Sequence, residues 1–256
     1  MTKDMLDKSS DRAQSLYKGL VVLQCFSEGH ATMTLSEVAD TVGMNRATTR
    51  RFLLTLVDLG YLSLEGKRYT LTPKVMTLGY NYLSNLPWWQ LANPVAEDIS
   101  RTLSESCSIG VLSRDQLIFV ARAQGPRALT INLSPGRVVP VHTAGIGRVL
   151  LADLSDDQQQ QFFERNPPTG LTPYTVTDVP KIREALGEIK KQGYAIVDQE
   201  LEVGLLAIAV PVRDSRGKAV AAIGISTQAQ RRTRDELVND LLPVLKEGAS
   251  RISKLI

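Results

Sequence analysis

The N-terminal part of the chain begins with apolar residues at helical spacing. Leu16, Leu20 and Leu23 recur every three or four positions, which predicts a helix over Ala13–Glu28. Gly29 follows and is expected to end that helix, because glycine is the commonest residue just past a helix C-terminus.

Two further helices follow at short intervals. Thr34 with Glu37 three residues later has the spacing of a capping box and predicts a helix over Leu35–Val42. Gly43 ends this helix, and Asn45 can cap the next one. Two short helices joined by a glycine-containing turn predict a helix-turn-helix.

The third helix, predicted over Arg46–Leu59, has an apolar side and a cationic side. No acidic residue occurs between Thr41 and Val57, so the start of this helix is purely basic. Arginine and small polar residues near a helix N-terminus are the groups that contact base edges and phosphates in the major groove. Thr49, Phe52, Leu53 and Leu56 are expected to face the core, and the predicted DNA contacts are Asn45, Arg46, Thr48, Thr49, Arg50 and Arg51.

A basic hairpin completes the N-terminal pattern. Strand-like runs at Tyr61–Leu64 and Arg68–Thr72 flank a turn with Lys67 and Arg68 at its tip, which is predicted to enter the minor groove. Together these elements predict a winged helix-turn-helix over residues 13–72 that binds double-stranded operator DNA. The alternative is a purely structural module whose arginines form a solvated face, or an adaptor that uses the winged helix for protein contacts.

The pattern changes after residue 72. Lys74–Ser84 is apolar nearly all round and predicts a linker helix within residues 73–87. Residues 88–256 alternate helical and strand-like segments joined by hairpin turns, which predicts an α+β domain with a mostly antiparallel sheet. The predicted helices are Leu91–Ser104, Gly145–Asp153, Asp156–Arg165, Asp178–Gln192 and Thr233–Leu255, and the predicted strands are Ser108–Ser113, Gln116–Arg122, Leu129–Leu133, Tyr194–Glu200, Leu205–Val212 and Ala219–Thr227.

The composition mainly excludes classes of protein, such as membrane-spanning, secreted and disulfide-rich proteins. A length of 256 residues, 43% of them hydrophobic, suits two ordinary domains, and a net charge of +3 does not by itself indicate nucleic-acid binding. The longest apolar run, Gly204–Val212, is too short to span a bilayer, and Met1–Arg12 lacks the apolar region of a secretory signal. With only two cysteines, we expect a cytoplasmic protein with no membrane association and no disulfide framework.

The sequence offers no evident catalytic machinery. It contains no nucleophile elbow, no phosphate-binding loop and no cysteine or histidine spacing typical of a metal site. Gly145 and Gly147 begin a dinucleotide fingerprint whose third glycine is missing. We therefore expect no enzyme activity, no cofactor and no metal, although a small-molecule enzyme stays an alternative.

The whole chain resembles the IclR family of bacterial regulators. The segments that carry the resemblance are PVHTAGIGR over residues 140–148, with Arg148 where the family usually has lysine, and GYAIVDQE over residues 193–200, followed by IAVPV over residues 208–212. LTPKV over residues 71–75 and LTPYT over residues 171–175 are similar to the branch that regulates breakdown of protocatechuate and 4-hydroxybenzoate. This resemblance implies a GAF-like sensing domain over residues 88–256 that binds a small carboxylic acid.

The resemblance also implies where such an acid binds. The first N–H groups of the helix at Gly145 lack internal partners and suit a carboxylate, and Arg122 or His142 could supply a fixed cation. Small side chains at Ala207 and Gly224 favour an aromatic acid or a ring-cleavage product over a two- or three-carbon acid. The effector contacts expected are Arg122, His142, Gly145, Ile146, Asp198, Ala207, Gly224 and Ser226. Because one winged helix reads only a short site, we expect a homodimer or tetramer.

Overall fold

The computed structural model describes residues 13–27, 29–86, 88–126 and 133–256. It divides into two units between Tyr82 and Leu83, inside the segment predicted as a linker. No helix among these residues is long and apolar enough to cross a membrane.

The N-terminal unit contains the three helices and the hairpin predicted from the sequence. The capping box of Thr34 and Glu37 is formed, and the side chain of Asn45 caps the third helix. The first helix is shorter than predicted and ends at Gln24, and Glu28 lies outside the described residues. The elements are α1 (Gln14–Gln24), β1 (Thr32–Thr34), α2 (Leu35–Val42), α3 (Arg46–Asp58), β2 (Leu62–Glu65), β3 (Arg68–Leu71) and α4 (Val75–Ser84), which continues past the division.

A strand absent from the sequence prediction completes the sheet of this unit. β1 pairs antiparallel with β3, so the order is β1-β3-β2 and the hairpin becomes a three-stranded sheet. Three residues are too few for a periodic signal, which explains why β1 was not predicted. The helices and the sheet enclose a core that includes Val22, Met33, Leu53 and Leu62.

The C-terminal unit is a six-stranded antiparallel sheet with helices on both faces, which confirms the predicted α+β class. Its strand order is β6-β5-β4-β9-β8-β7. Residues 129–132 of the strand predicted at Leu129–Leu133 lie outside the described residues, and Leu133 is buried without being in a strand. The elements are α5 (Trp89–Leu103), β4 (Ser106–Ser113), β5 (Gln116–Ala123), β6 (Val138–Val139), a 3-10 turn (Val141–Thr143), α6 (Gly145–Ala152), α7 (Asp156–Arg165), α8 (Val179–Gln192), β7 (Ala195–Asp198), β8 (Leu205–Arg213), β9 (Ala219–Gln228), α9 (Arg234–Glu236), a π-helical turn (Leu237–Leu241) and α10 (Leu242–Ser253). 

The two faces of this sheet have separate cores. Helices α5 and α10 cover one face, where Ile99 and Leu245 pack on Ile208 and Ile223. Helices α6, α7 and α8 contribute to the core of the other face. All eight residues of α6 are buried, so this helix lies in the interior of the unit against the sheet.

Candidate functional site

The basic start of α3 is exposed. The Oδ1 atom of Asn45 accepts a hydrogen bond of 2.8 Å from the backbone N–H of Thr48, which satisfies one of the free donors of the first turn. Arg46 and Arg50 are both exposed and lie one turn apart on the same side of the helix. Arg51 is exposed too, but with Thr48 it lines a groove between α3 and α1.

The prediction that Thr49 contacts DNA is wrong. Its side chain is completely buried, and its hydroxyl donates a 3.1 Å hydrogen bond to the carbonyl oxygen of Asn45. The expectation that Thr49 faces the core is the one that the structure confirms.

The hairpin tip carries the other basic residues predicted to contact DNA. Lys67 and Arg68 are exposed, and Gly66 provides the positive φ of 62° that the turn requires. Arg68 is tied to its own unit: its Nη1 lies 3.6 Å from Glu37 Oε2 and donates to the carbonyl oxygen of Thr32 at 3.2 Å. Lys67 is therefore the freer of the two cations.

A narrow cavity of about 30 Å³ lies between the sheet of the C-terminal unit and the N-terminus of α6. We call it the α6 cavity. Its wall includes five of the eight predicted effector contacts: Gly145, Ile146, Ala207, Gly224 and Ser226. Sequence reasoning missed the apolar part of the wall and four residues with small polar or methyl side chains. These additional wall residues are Ser108, Phe119, Leu133, Thr143, Ala144, Val197, Leu201, Leu205, Ile208, Ala209 and Ile225.

The start of α6 borders this cavity with backbone donors that have no partner within the helix. Ala144 caps the helix without any side-chain hydrogen bond, and the backbone N–H of Arg148 is the first to bond inside the helix, to the Ala144 carbonyl at 2.9 Å. The N–H groups of residues 145–147 therefore lack an intrahelical acceptor, and together with the helix dipole they suit a carboxylate.

Glycine is required in this turn because the backbone approaches its neighbours closely. A Cβ on Gly147 would lie 2.1 Å from the carbonyl oxygen of Val141, whereas one on Gly145 would make only ordinary contact, at 3.4 Å from Ala209 Cβ. Gly147 therefore allows the helix start to sit directly on the 3-10 turn.

Three predicted effector contacts lie outside the wall of the α6 cavity. The side chain of Asp198 faces the other side of the sheet, because its ladder partner Leu206 belongs to the core covered by α5 and α10. Asp198 Oδ2 instead lies 3.7 Å from Arg234 Nε. Arg122 is half-buried with its Nη1 enclosed and unpartnered, and it borders a groove beside α5 rather than the cavity.

The prediction that His142 supplies a fixed cation is wrong. It is buried, and its Nε2 lies 3.2 Å from the carbonyl oxygen of Thr169, which accepts the hydrogen bond. Burial lowers the pKa of His142 below its ordinary value and outweighs the opposing effect of this hydrogen bond. The imidazole is therefore neutral near pH 7 and structural.

A buried ion pair behind the cavity was not predicted. Arg148 Nη2 donates to Glu200 Oε2 at 2.6 Å, and only 7% and 8% of the two side chains are exposed. Arg148 Nε donates to the His142 carbonyl at 2.8 Å, and the backbone N–H of Val176 donates to Glu200 Oε2 at 3.0 Å. Burial lowers the pKa of Arg148, and Glu200 opposes that shift. The pair ties α6 to the turn before it, to the end of β7 and to the segment before α8.

The described part of the chain contains no group of three or more histidine, cysteine or acidic side chains that could hold a metal ion. The α6 cavity also lacks a nucleophile activated by a neighbouring base, because its polar wall residues are serines and a threonine. Its geometry suits binding rather than turnover.

Comparison with known proteins supports this interpretation. Residues 15–66 match the IclR helix-turn-helix domain, and residues 80–254 match the C-terminal domain of bacterial transcriptional regulators of the IclR type. The Pca regulon regulatory protein of Pseudomonas putida is 37% identical over 236 residues, which cover 92% of this chain and 81% of that protein.

Two solved structures extend the comparison. A transcriptional regulator from Rhodococcus sp. RHA1 has a TM-score of 0.82 and 39% identity, covering 95% of this chain and 98% of that one. The inducer-binding domain of a double mutant of PobR from Acinetobacter, in complex with 3-hydroxybenzoic acid, has a TM-score of 0.63 and 30% identity, covering 67% and 99%. The chain belongs to the IclR family of transcriptional regulators, with an N-terminal DNA-binding domain and a C-terminal ligand-binding domain, and it is not an enzyme.

Proposed function

We propose that this regulator controls an operon for aromatic-acid catabolism and that its effector is an aromatic carboxylic acid or a ring-cleavage product bound in the α6 cavity. The observation that carries the proposal is the cavity itself, which combines a mostly apolar wall with the uncapped start of α6. The 3-hydroxybenzoic acid bound by the PobR inducer-binding domain is an acid of this class.

The carboxylate of the effector sits at the first turn of α6. Backbone N–H groups from Gly145 onward bind it, and Ile146 and Ala207 contact its ring. No charged side chain of the described residues lines the cavity, so the helix terminus supplies the positive potential that a cation would otherwise provide. Ala207 leaves room for a ring, which disfavours two- and three-carbon acids.

A calorimetric and thermal-shift panel tests the effector class. The panel contains 3- and 4-hydroxybenzoate, protocatechuate, β-ketoadipate, glyoxylate and pyruvate. An effector present at a hundred times its Kd stabilises the folded protein by about 2.7 kcal/mol. We expect that size of stabilisation only from aromatic or ring-cleavage acids, and binding of glyoxylate or pyruvate alone would refute the proposal.

The DNA-binding surface is the start of α3 with the hairpin tip. Arg46 and Arg50 enter the major groove, Asn45, Thr48 and Arg51 border it, and Lys67 and Arg68 reach the adjacent minor groove. The exposed side of α3 carries basic residues and no acidic residue before Asp58, which supports this assignment. 

Fluorescence anisotropy with a duplex selected from a random library tests this surface. Arg50→Ala should weaken binding and reduce the slope of log K against log salt by about 0.9, the value for one lost phosphate contact. Arg231→Ala, an exposed arginine of the other domain, is the matched control. Wild-type affinity and salt slope in Arg50→Ala would exclude α3 as the recognition helix, whereas lost affinity with an unchanged slope would assign Arg50 to a base edge.

The regulator acts as a homodimer joined through its N-terminal domain, or as a tetramer of two such dimers, in the cytoplasm where the operator is. Several large apolar side chains of α1 and α4 are exposed, including Leu16 at 64%, Met76 at 73% and Leu78 at 51%, which is unusual for a monomer surface. Sedimentation of a Leu16→Glu variant should show half the wild-type mass, a monomer from a dimer or a dimer from a tetramer, and an unchanged assembly would place the interface elsewhere.

Binding of the effector and binding of operator DNA are thermodynamically linked. If the effector favours one arrangement of the DNA-binding domains, operator DNA must change effector affinity by the same factor. Calorimetry of the effector with and without a saturating operator duplex should give two different Kd values, and identical values would exclude the coupling.

A further inference from the structure

We propose that Ser108 determines specificity in the α6 cavity and that its hydroxyl binds a ring hydroxyl group of the effector. The effector is then a hydroxylated aromatic monocarboxylic acid rather than a ring-cleavage dicarboxylate. This inference rests on the proposed function and narrows the class of its ligand.

The hydroxyl of Ser108 is an unsatisfied group in the cavity wall. Ser108 is 2% exposed on β4, and its Oγ has no hydrogen-bond partner within the protein. Buried hydroxyls are nearly always paired, because an unpaired one forfeits its hydration without compensation. An occupant of the cavity that supplies the missing partner would therefore gain affinity that a purely apolar occupant cannot gain.

Ser108 lies at the opposite side of the cavity from the carboxylate site. On the face that bears the cavity, Ser108 of β4 pairs with Gly224 of β9, and Gly224 pairs with Ala209 of β8. Gly145, the first residue of α6, sits over Ala209. Two strand spacings, about 9.6 Å, separate Ser108 from the strand beneath the helix start. That span suits one aromatic ring with a carboxylate at one end and a hydroxyl toward the other.

The open space between these two points lies beside Ile146. A Cβ on Gly224 would meet Ile146 Cγ1 at 3.0 Å, so the isoleucine covers that glycine. The ring therefore lies over Ala207 and Ser226, which pair with each other one step further along the strands and carry small side chains.

Charge decides between the two kinds of effector. The wall formed by the described residues carries no lysine, arginine or histidine side chain, and the cation next to Ser108, its cross-strand partner Arg122, borders a separate groove beside α5. A second buried carboxylate near Ser108 would lose its hydration and gain only one neutral hydroxyl, whereas a phenol group can both donate to and accept from a serine hydroxyl.

The test is calorimetry with benzoate, 3-hydroxybenzoate, 4-hydroxybenzoate and β-ketoadipate. The proteins are the wild type, Ser108→Ala, Ser226→Ala and the control Ser113→Ala at the exposed end of β4. We expect the wild type to prefer the better hydroxybenzoate over benzoate by about tenfold, the effect of one good hydrogen bond. In Ser108→Ala that preference should fall to about twofold or less, because hydroxybenzoate loses affinity while benzoate does not.

The outcomes separate this inference from the proposed function. If no acid of the panel binds the wild type, the proposed function fails and Ser108 has no such role. If hydroxybenzoates bind but Ser108→Ala keeps the preference, or if Ser226→Ala alone removes it, the inference fails while the proposed function stands. Tighter binding of β-ketoadipate than of either hydroxybenzoate would likewise overturn the inference alone.

Thermal unfolding without ligand gives an independent readout. Ser106 is the matched comparison on the same strand, since its Oγ accepts a 3.1 Å hydrogen bond from the backbone N–H of Gly125. Ser108→Ala should leave the Tm unchanged or raise it, whereas Ser106→Ala should lower it. A drop in Tm for Ser108→Ala as large as that for Ser106→Ala would show that the hydroxyl is already satisfied, and would overturn the inference.

Discussion

Removing one partner of the buried ion pair between Arg148 and Glu200 should strongly destabilise the effector-binding domain. Replacing Arg148 with methionine keeps most of the side-chain volume but removes the 2.6 Å bond to Glu200 and the 2.8 Å bond to the His142 carbonyl. The Glu200 carboxylate, whose side chain is 8% exposed, would keep the backbone N–H of Val176 as a donor. A buried charge would thus remain without its counter-ion.

Breaking one side of a buried ion pair costs about 3–5 kcal/mol, because the remaining charge is still desolvated. For a domain of this size, each kcal/mol lowers the Tm by about 2–4 °C, so the expected drop is roughly 6–20 °C. Arg148→Lys should fall between the wild type and Arg148→Met, since an ammonium group lacks the planar fork that reaches both Glu200 and the His142 carbonyl. 

Urea unfolding followed by circular dichroism measures these differences. A double variant, Arg148→Met with Glu200→Leu, should be less destabilised than the sum of the two single variants, because neither charge is then left alone. Arg165→Met is the matched control, since it removes an exposed arginine that binds Asp115 through Nε and Nη2. A loss for Arg148→Met no larger than that control, or additive single variants, would refute the reasoning.

Three further predictions concern the same domain. Gly147→Ala should prevent folding of the start of α6, since its Cβ would lie 2.1 Å from the Val141 carbonyl oxygen, whereas Gly187→Ala, with open space in α8, should raise the Tm slightly; equal Tm values would contradict this. His142 stays neutral in the folded state because burial lowers its pKa, so the unfolded state binds more protons below its ordinary value of 6.5. The free energy of unfolding should therefore fall as the pH drops below about 6.5, and His142→Gln should flatten that dependence in urea titrations at several pH values. Arg122→Met should change the effector Kd less than about threefold. A weakening of about a hundredfold in a calorimetric titration would place the carboxylate at Arg122 instead.

Local signals made most of the N-terminal domain predictable. The capping box at Thr34, the Asn45 cap and the glycine-containing turns depend on neighbours within four residues, so the sequence reveals them directly. Strand β1 escaped prediction because its existence depends on pairing with β3 more than thirty residues away. Thr49 shows the limit of residue type as a guide, since a polar residue in the recognition helix is completely buried.

The wall of the α6 cavity was predictable only in part. Gly145, Ile146 and Ala207 line it together, whereas Asp198 faces the other side of the sheet. In a regular strand Asp198 and Glu200 would share a face, but Gln199 has a φ of 60° and ends the strand, so the two carboxylates reach different arginines. The partner of Arg148 lies 52 residues away, and no local pattern joins them.

The complete burial of α6 also constrains how the regulator can evolve. A helix with every side chain packed, and with a glycine whose Cβ would collide with backbone, tolerates few substitutions, so few changes of ligand specificity can arise there. Gly224 is similarly closed off by Ile146. New specificities would therefore arise from substitutions in the strands, at positions such as Ser108, Ala207 and Ser226, while the start of α6 stays the same in the descendants of this regulator.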